Sequence, residues 1–107
     1  MFKMKLAAAA LIGASAALSV PGALALDGEQ LYKTKTCSSC HGKDAKTPIM
    51  PNYPKLAGQN AAYAIAQMQD IKSGARANGN SAAMKGVMHL VNDEEIAAIA
   101  EWLATLE

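Results

Sequence analysis

Cys37-Ser38-Ser39-Cys40-His41-Gly42 is the stretch whose reading decides the rest of the chain. Two thiols three positions apart, followed at once by an imidazole, match the covalent haem-attachment signature. In it each sulfur adds to a haem vinyl group and the histidine binds the iron. If the segment is one turn of helix, Cys37 and Cys40 share a face at i and i+3, within reach of two vinyl groups along one edge of a macrocycle. His41, at i+4 from Cys37, then swings its ring under the iron. One residue more or less in the gap would turn the second thiol to another face. Two rival uses of these thiols are weaker. A redox dithiol of the thioredoxin kind wants a preceding strand and a βαβ pattern, and no run of β-branched residues supplies one. A structural zinc site needs four ligands, and beyond Cys37, Cys40 and His41 only His89 remains, at a spacing that fits no usual finger. A disulfide between the two cysteines would close so short a loop that chain entropy gains little from it.

Downstream of the motif, residues 42–60 contain Pro48, Pro51, Pro54 and Gly58. Prolines remove backbone donors and fix φ, so the stretch reads as an ordered loop rather than a helix or strand. A loop of this length usually has a task. The expected task is to wrap the proximal edge of a haem and to offer a backbone carbonyl, that of Pro54, to the His41 Nδ1 proton, which would fix the ring's tautomer and raise its basicity as a ligand. Asn60 then caps a helix that ends at Gly74, with Ala61, Ala64, Ile65, Met68 and Ile71 at helical spacing and Gln67, Gln69, Asp70 and Lys72 on other faces. Met68 therefore reads as core. Residues 74–83 are small and polar and read as a flexible turn. They lead to Met84-Lys85-Gly86-Val87-Met88, where a second axial ligand should lie, because a thioether opposite histidine fills the sixth position and raises the reduction potential. Met50 lies too soon after His41 to serve, and spacing alone leaves Met84 and Met88 both open. His89 reads as a surface residue. The last helix is the clearest: Asn92 and Glu95 form a capping-box pattern, Asp93 and Glu94 complement the helix dipole, and Ile96, Ile99, Ala100, Leu103 and Leu106 make an apolar stripe.

Upstream, Asp27 caps a short helix whose Leu31 and Tyr32 form its apolar side, and Gly28 permits close approach of the terminal helix near Trp102 or Leu103. The first 25 residues read differently. Lys3 and Lys5 form a positive n-region, residues 6–20 an apolar h-region, and Ala23-Leu24-Ala25 a processing site after Pro21-Gly22, which together describe a cleaved secretory signal peptide. The apolar run is largely alanine and falls short of the roughly 20 residues of a membrane span. Without Lys3 and Lys5 the ten basic residues become eight against nine acidic, and the net charge moves from +1 to about −1. No nucleic-acid partner follows from that balance. The remaining domain, residues 26–107, has only Tyr32, Tyr53, Tyr63 and Trp102 as aromatics, so a large flat apolar cofactor would supply much of its core. The chain without that cofactor is expected to be largely unfolded.

The haem motif, the stretch Pro51-Asn52-Tyr53-Pro54-Lys55-Leu56-Ala57-Gly58-Gln59, the helix carrying Gln67 to Gly74, and Met84-Lys85-Gly86-Val87 before a capped terminal helix together resemble the class I cytochromes c. The likeness is to small periplasmic single-haem forms and to one half of the bacterial two-haem forms. It implies an all-α fold of three to five helices wrapped around one covalently attached haem c. It implies Cys37 and Cys40 as the thioether residues, His41 as the proximal ligand and Met84 as the distal one, with Met88 offering a second sulfur one helical turn away. It further implies a monomeric periplasmic electron carrier, not an enzyme, cycling Fe(III)/Fe(II) between respiratory or photosynthetic partners. Membrane cytochrome complexes, terminal oxidases or dehydrogenases would dock at the exposed haem edge, with Lys33, Lys35, Lys43, Lys46, Lys55 and Lys85 steering them. No membrane span would remain after signal cleavage. Two other classes stay open: a haem subunit held in a dehydrogenase or oxidase complex, and a haem sensor or weak peroxidase with an exchangeable sixth position.

Overall fold

Asp27 and Asn92 open the two helices whose crossing frames the molecule. The computed structural model describes residues 26–107, and the expected leader, residues 1–25, lies outside the described residues. The described residues form five helices and no strand: α1 (Gly28–Thr34), α2 (Cys37–His41), α3 (Ala61–Ser73), α4 (Ser81–Met88) and α5 (Asp93–Ala104). The fold is all-α.

The Asp27 carboxylate accepts from the Gln30 N–H at 3.2 Å and satisfies one of the donors that a helix start leaves free. Asn92 does the same for Glu95 at 2.8 Å, while the Asn92 N–H donates to Glu95 Oε1 at 3.0 Å, which completes the capping box. Glycine lets α1 and α5 meet closely. A Cβ on Gly28 would lie 2.2 Å from the Ala98 carbonyl oxygen and 2.7 Å from Trp102 Cβ. One turn along, the Tyr32 and Trp102 rings pack with centroids 5.1 Å apart and planes at 49°. Below this crossing lies the core, in which Tyr32, Ile71, Met88, Val91, Ile96, Ile99 and Leu103 are buried. Leu106, expected on the α5 stripe, sits just past the helix end and is half-buried against the same core.

Asn60 caps α3 through the Tyr63 N–H at 2.9 Å, and Gly74 ends it at φ +93°, a left-handed conformation that glycine takes without steric cost. The turn expected over residues 74–83 is shorter than that. Ser81 already begins α4, although Asn80 makes no capping bond and Gly86 sits inside the helix. Tertiary contact explains it: α4 packs on α3 and buries Ser81 and Met88, and packing rather than propensity sustains most short helices.

The proline loop is ordered by hydrogen bonds at both ends and in the middle. The Asp44 carboxylate accepts from the Lys46 and Thr47 amides at 2.8 and 3.1 Å. Ala45 is fully buried at φ +60°, and its carbonyl accepts from both Leu56 and Ala57. The Ile49 N–H donates to the Cys40 carbonyl at 3.0 Å and the Gly58 N–H to the Leu103 carbonyl at 2.8 Å, so the loop is tied to α2 on one side and to α5 on the other.

Candidate haem site

A cavity of about 590 Å³ opens between α2, the proline loop, α3 and α4, with Ile99 and Leu103 of α5 on its wall. That volume falls within the roughly 300–1,000 Å³ usual for cofactor pockets. Cys37, Cys40 and His41 stand on one part of its wall, and Met84 and Met88 contribute thioethers to another. Thr36, at φ +71°, turns the chain from α1 into α2 and presents the motif as a single five-residue turn of helix. Gly42 ends that turn at φ +89°, where a Cβ would lie 2.2 Å from the Thr47 carbonyl oxygen. The Tyr32 hydroxyl donates to the Gly42 carbonyl at 2.6 Å and joins the motif to the helix crossing.

His41 is 7% exposed, and its Nδ1 lies 3.0 Å from the Pro54 carbonyl oxygen. A carbonyl only accepts, so the proton of the neutral ring sits on Nδ1 and Nε2 carries a free lone pair. Burial pushes the imidazole below its ordinary pKa and the bond to Pro54 draws it part of the way back, so the ring is a neutral donor at physiological pH. The Pro54 carbonyl thus stands where the sequence reading expected it, against His41 Nδ1. Tyr53 adds its ring beside His41, with centroids 6.5 Å apart. Cys37 and Cys40 are not joined to each other by a disulfide. Burial raises the Cys37 pKa, a backbone hydrogen bond opposes this, and the neighbouring Cys40 adds to it. The Tyr32 hydroxyl is raised too, by burial first and then by Cys37 and Asp44.

This donor set fits a haem: two adjacent thiols, an imidazole with a bare Nε2 and a soft thioether line one largely apolar chamber. His89, which a zinc reading would need, is exposed and off the cavity wall. The two methionines differ. Met88 is 3% exposed and packs among core side chains, whereas Met84, one turn earlier, is half-buried. Met68 packs against the core as expected and lines the cavity as well.

Two polar residues belong to the site that the sequence reading left outside it. Gln67 lines the cavity and accepts from Arg76 Nη1 at 3.1 Å, and Arg76 lines it too. The signal for Gln67 was present, since it lies three residues after Ala64 and four before Ile71, on the buried face of α3. Lys72, assigned to an outer face, is half-buried and donates to the Val91 carbonyl, joining α3 to the start of α5. Of the six lysines expected around a haem edge, Lys33 pairs with Glu29 and Lys35 with Glu95, while Lys43, Lys46, Lys55 and Lys85 are exposed.

An all-helical shell closing on a Cys-Ser-Ser-Cys-His turn defines a class of protein, and comparison with known proteins gives the same one. The family model for cytochrome c matches residues 25–107, and the chain belongs to the cytochrome c family. Covalently attached haem c is the cofactor that goes with that domain and with Cys37 and Cys40. Cytochrome c4 of Pseudomonas aeruginosa is 41% identical over 73 residues, covering 68% of this chain and 34% of that protein. The thiosulfate dehydrogenase electron acceptor of Stutzerimonas stutzeri is 36% identical over 104 residues, covering 91% of this chain and 45% of that one. Among solved structures, reduced recombinant cytochrome c4 from Pseudomonas stutzeri superposes with a TM-score of 0.68 at 31% identity, covering 79% of this chain and 49% of that chain. The chain thus spans about a third to a half of the length of these relatives.

Proposed function

We propose that this chain is a periplasmic electron carrier, and not an enzyme, with Cys37 and Cys40 as thioether residues, His41 as proximal ligand and Met84 as distal ligand. The observation that carries the reading is the gathering of the Cys-Ser-Ser-Cys-His turn, a Pro54-oriented imidazole and the α4 methionines around one cavity. Haem c, when bound, supplies the one-electron Fe(III)/Fe(II) couple. The protein's part is to hold and tune it. The Pro54 carbonyl keeps the His41 proton on Nδ1 and so keeps Nε2 available. Apolar residues of α3, α4 and α5 exclude water from the chamber. Met84 is favoured over Met88 because Met88 is buried in the core, whereas Met84 lines the cavity and is only half-buried. With His41 and Met84 both committed, no position remains for a substrate, which favours transfer over catalysis.

The first 25 residues are proposed to direct export, so that the mature chain begins at Leu26. Among the described residues no helix is long and apolar enough to cross a membrane. The working form is proposed to be a monomer. The similarity to a thiosulfate dehydrogenase electron acceptor supports a dehydrogenase as one donor, with a membrane cytochrome complex or oxidase as acceptor.

An absorption spectrum of the oxidised protein tests the ligand assignment. A weak near-infrared band from thioether ligation of ferric iron is expected, lost in Met84→Ala and kept in Met88→Ala. The opposite pattern would transfer the role to Met88, and a protein from which denaturation releases the haem would refute thioether attachment.

A further inference from the structure

Asparagine is among the chemically labile residues, because the backbone nitrogen that follows it can attack its side-chain carbonyl carbon. The attack needs a side-chain amide that nothing holds and a following N–H that is not already bonded. All but one of the asparagines in this chain fail one of these conditions. Asn60 and Asn92 commit their side-chain oxygens to the Tyr63 and Glu95 amides at 2.9 and 2.8 Å, as caps of α3 and α5. After Asn52, the Tyr53 N–H donates to the Met50 carbonyl at 3.1 Å, and after Asn80 the Ser81 N–H donates to the Asn78 carbonyl at 3.0 Å. Asn78 meets both conditions. It is exposed, and among the described residues neither its side chain nor the Gly79 N–H takes part in a hydrogen bond. Gly79 removes the remaining obstacle. It has no Cβ to crowd its nitrogen, it stands at φ +57°, and nothing lies within 4 Å of where a Cβ would project.

We propose that Asn78 is a self-modification site, converted with water to aspartate or isoaspartate through a ring closed by the Gly79 nitrogen. The Gly79 nitrogen gives up its proton and bonds to Asn78 Cγ, the Cγ–Nδ2 bond breaks, and ammonia leaves with a proton. Water then opens the five-membered imide at one of its two carbonyl carbons. One water is consumed, one ammonia is released, and nothing is oxidised or reduced. Either product carries one new carboxylate. Its place gives that charge a consequence. Asn78 lines the cavity, whose wall carries Lys35, Lys55 and Arg76 and, among the described residues, no Asp or Glu. A negative charge added beside a haem favours ferric iron and lowers the reduction potential. That consequence rests on the haem reading above, whereas the amide chemistry does not.

The test is to hold the haem-loaded protein in warm neutral buffer made with heavy-oxygen water, and to follow each asparagine by peptide mass spectrometry while the potential is measured. Loss of the side-chain amide is expected at Asn78 ahead of Asn52, Asn60, Asn80 and Asn92, with uptake of one heavy oxygen and a falling potential. Gly79→Ala should slow the loss. Asn78→Asp should show a lower potential from the start, and Asn78→Gln, whose longer side chain closes its ring far more slowly, should hold the parent potential throughout. An Asn78 amide that outlasts those of the capping residues Asn60 and Asn92 would overturn the site. Deamidation at Asn78 with an unchanged potential in Asn78→Asp would overturn its link to the haem. A parent protein that carries no haem would overturn the haem reading, and the mass measurement would still decide the modification.

Discussion

His41 owes its free Nε2 to a carbonyl thirteen residues away, and that bond was legible in the sequence only because proline so narrows what a loop can do. Other residues gave no such sign. Ala45 is fully buried at φ +60°, a conformation usually left to glycine or asparagine, and nothing about an alanine announces it. Its carbonyl takes two amides, from Leu56 and Ala57, so long-range bonds rather than local preference hold it there. Asp44 is the side chain that makes the bend. The Lys46 amide foremost, with the Thr47 amide and the Lys46 charge, holds its carboxyl below the ordinary value of 3.8. A carboxyl depressed by folding stabilises the native state above its unfolded pKa and loses that contribution as pH falls through the folded one. Asp44→Ala is therefore expected to unfold at a lower denaturant concentration than the parent at neutral pH. The gap should close as the pH drops below about 3.8 in paired denaturation curves.

At the scale of elements, what the sequence disclosed followed how local each signal was. The capping box of α5 and the Asn60 and Gly74 boundaries of α3 are written in neighbouring residues, and the structure has them where they were read. Helix α4 was missed as a helix because its cap is weak, Gly86 interrupts it and its support comes from α3. Gln67 and Arg76 escaped for a related reason: a polar pair reads as solvated until tertiary structure sets both against a cavity. The α1–α5 crossing was foreseen through Gly28, and its geometry gives a quantitative expectation. A methyl group there meets the backbone oxygen of Ala98 at 2.2 Å, which no side-chain rotation relieves. Gly28→Ala should thus push the helices apart and strain the Tyr32–Trp102 contact, costing about 1–3 kcal/mol, as overpacked sites generally do. Urea unfolding followed by helical circular dichroism would read that loss. An unchanged midpoint would mean that the two helices slide apart without cost.

Across the whole molecule, core and site are built from the same atoms. Tyr32, Ile71, Met88, Val91, Ile99 and Leu103 belong to the buried cluster and also line the cavity. Among the described residues the largest fully buried side chains are Tyr32, Ile96, Ile99 and Leu103. A domain of this size hides a modest share of its surface, and its net stability is a small remainder between large opposing quantities. Anything bound only by the folded form adds to that remainder, and a tethered cofactor filling the chamber would add continuously, since it cannot diffuse away. The five helices should therefore depend on the haem for their packing rather than merely receive it. The Cys37→Ser/Cys40→Ser double variant, purified free of haem, is expected to lose most of its helical circular dichroism and its cooperative thermal transition. If it instead keeps a parent-like spectrum and a sharp transition, the α1–α5 crossing and the loop bonds around Ala45 suffice to fold the chain, and the haem enters a finished chamber.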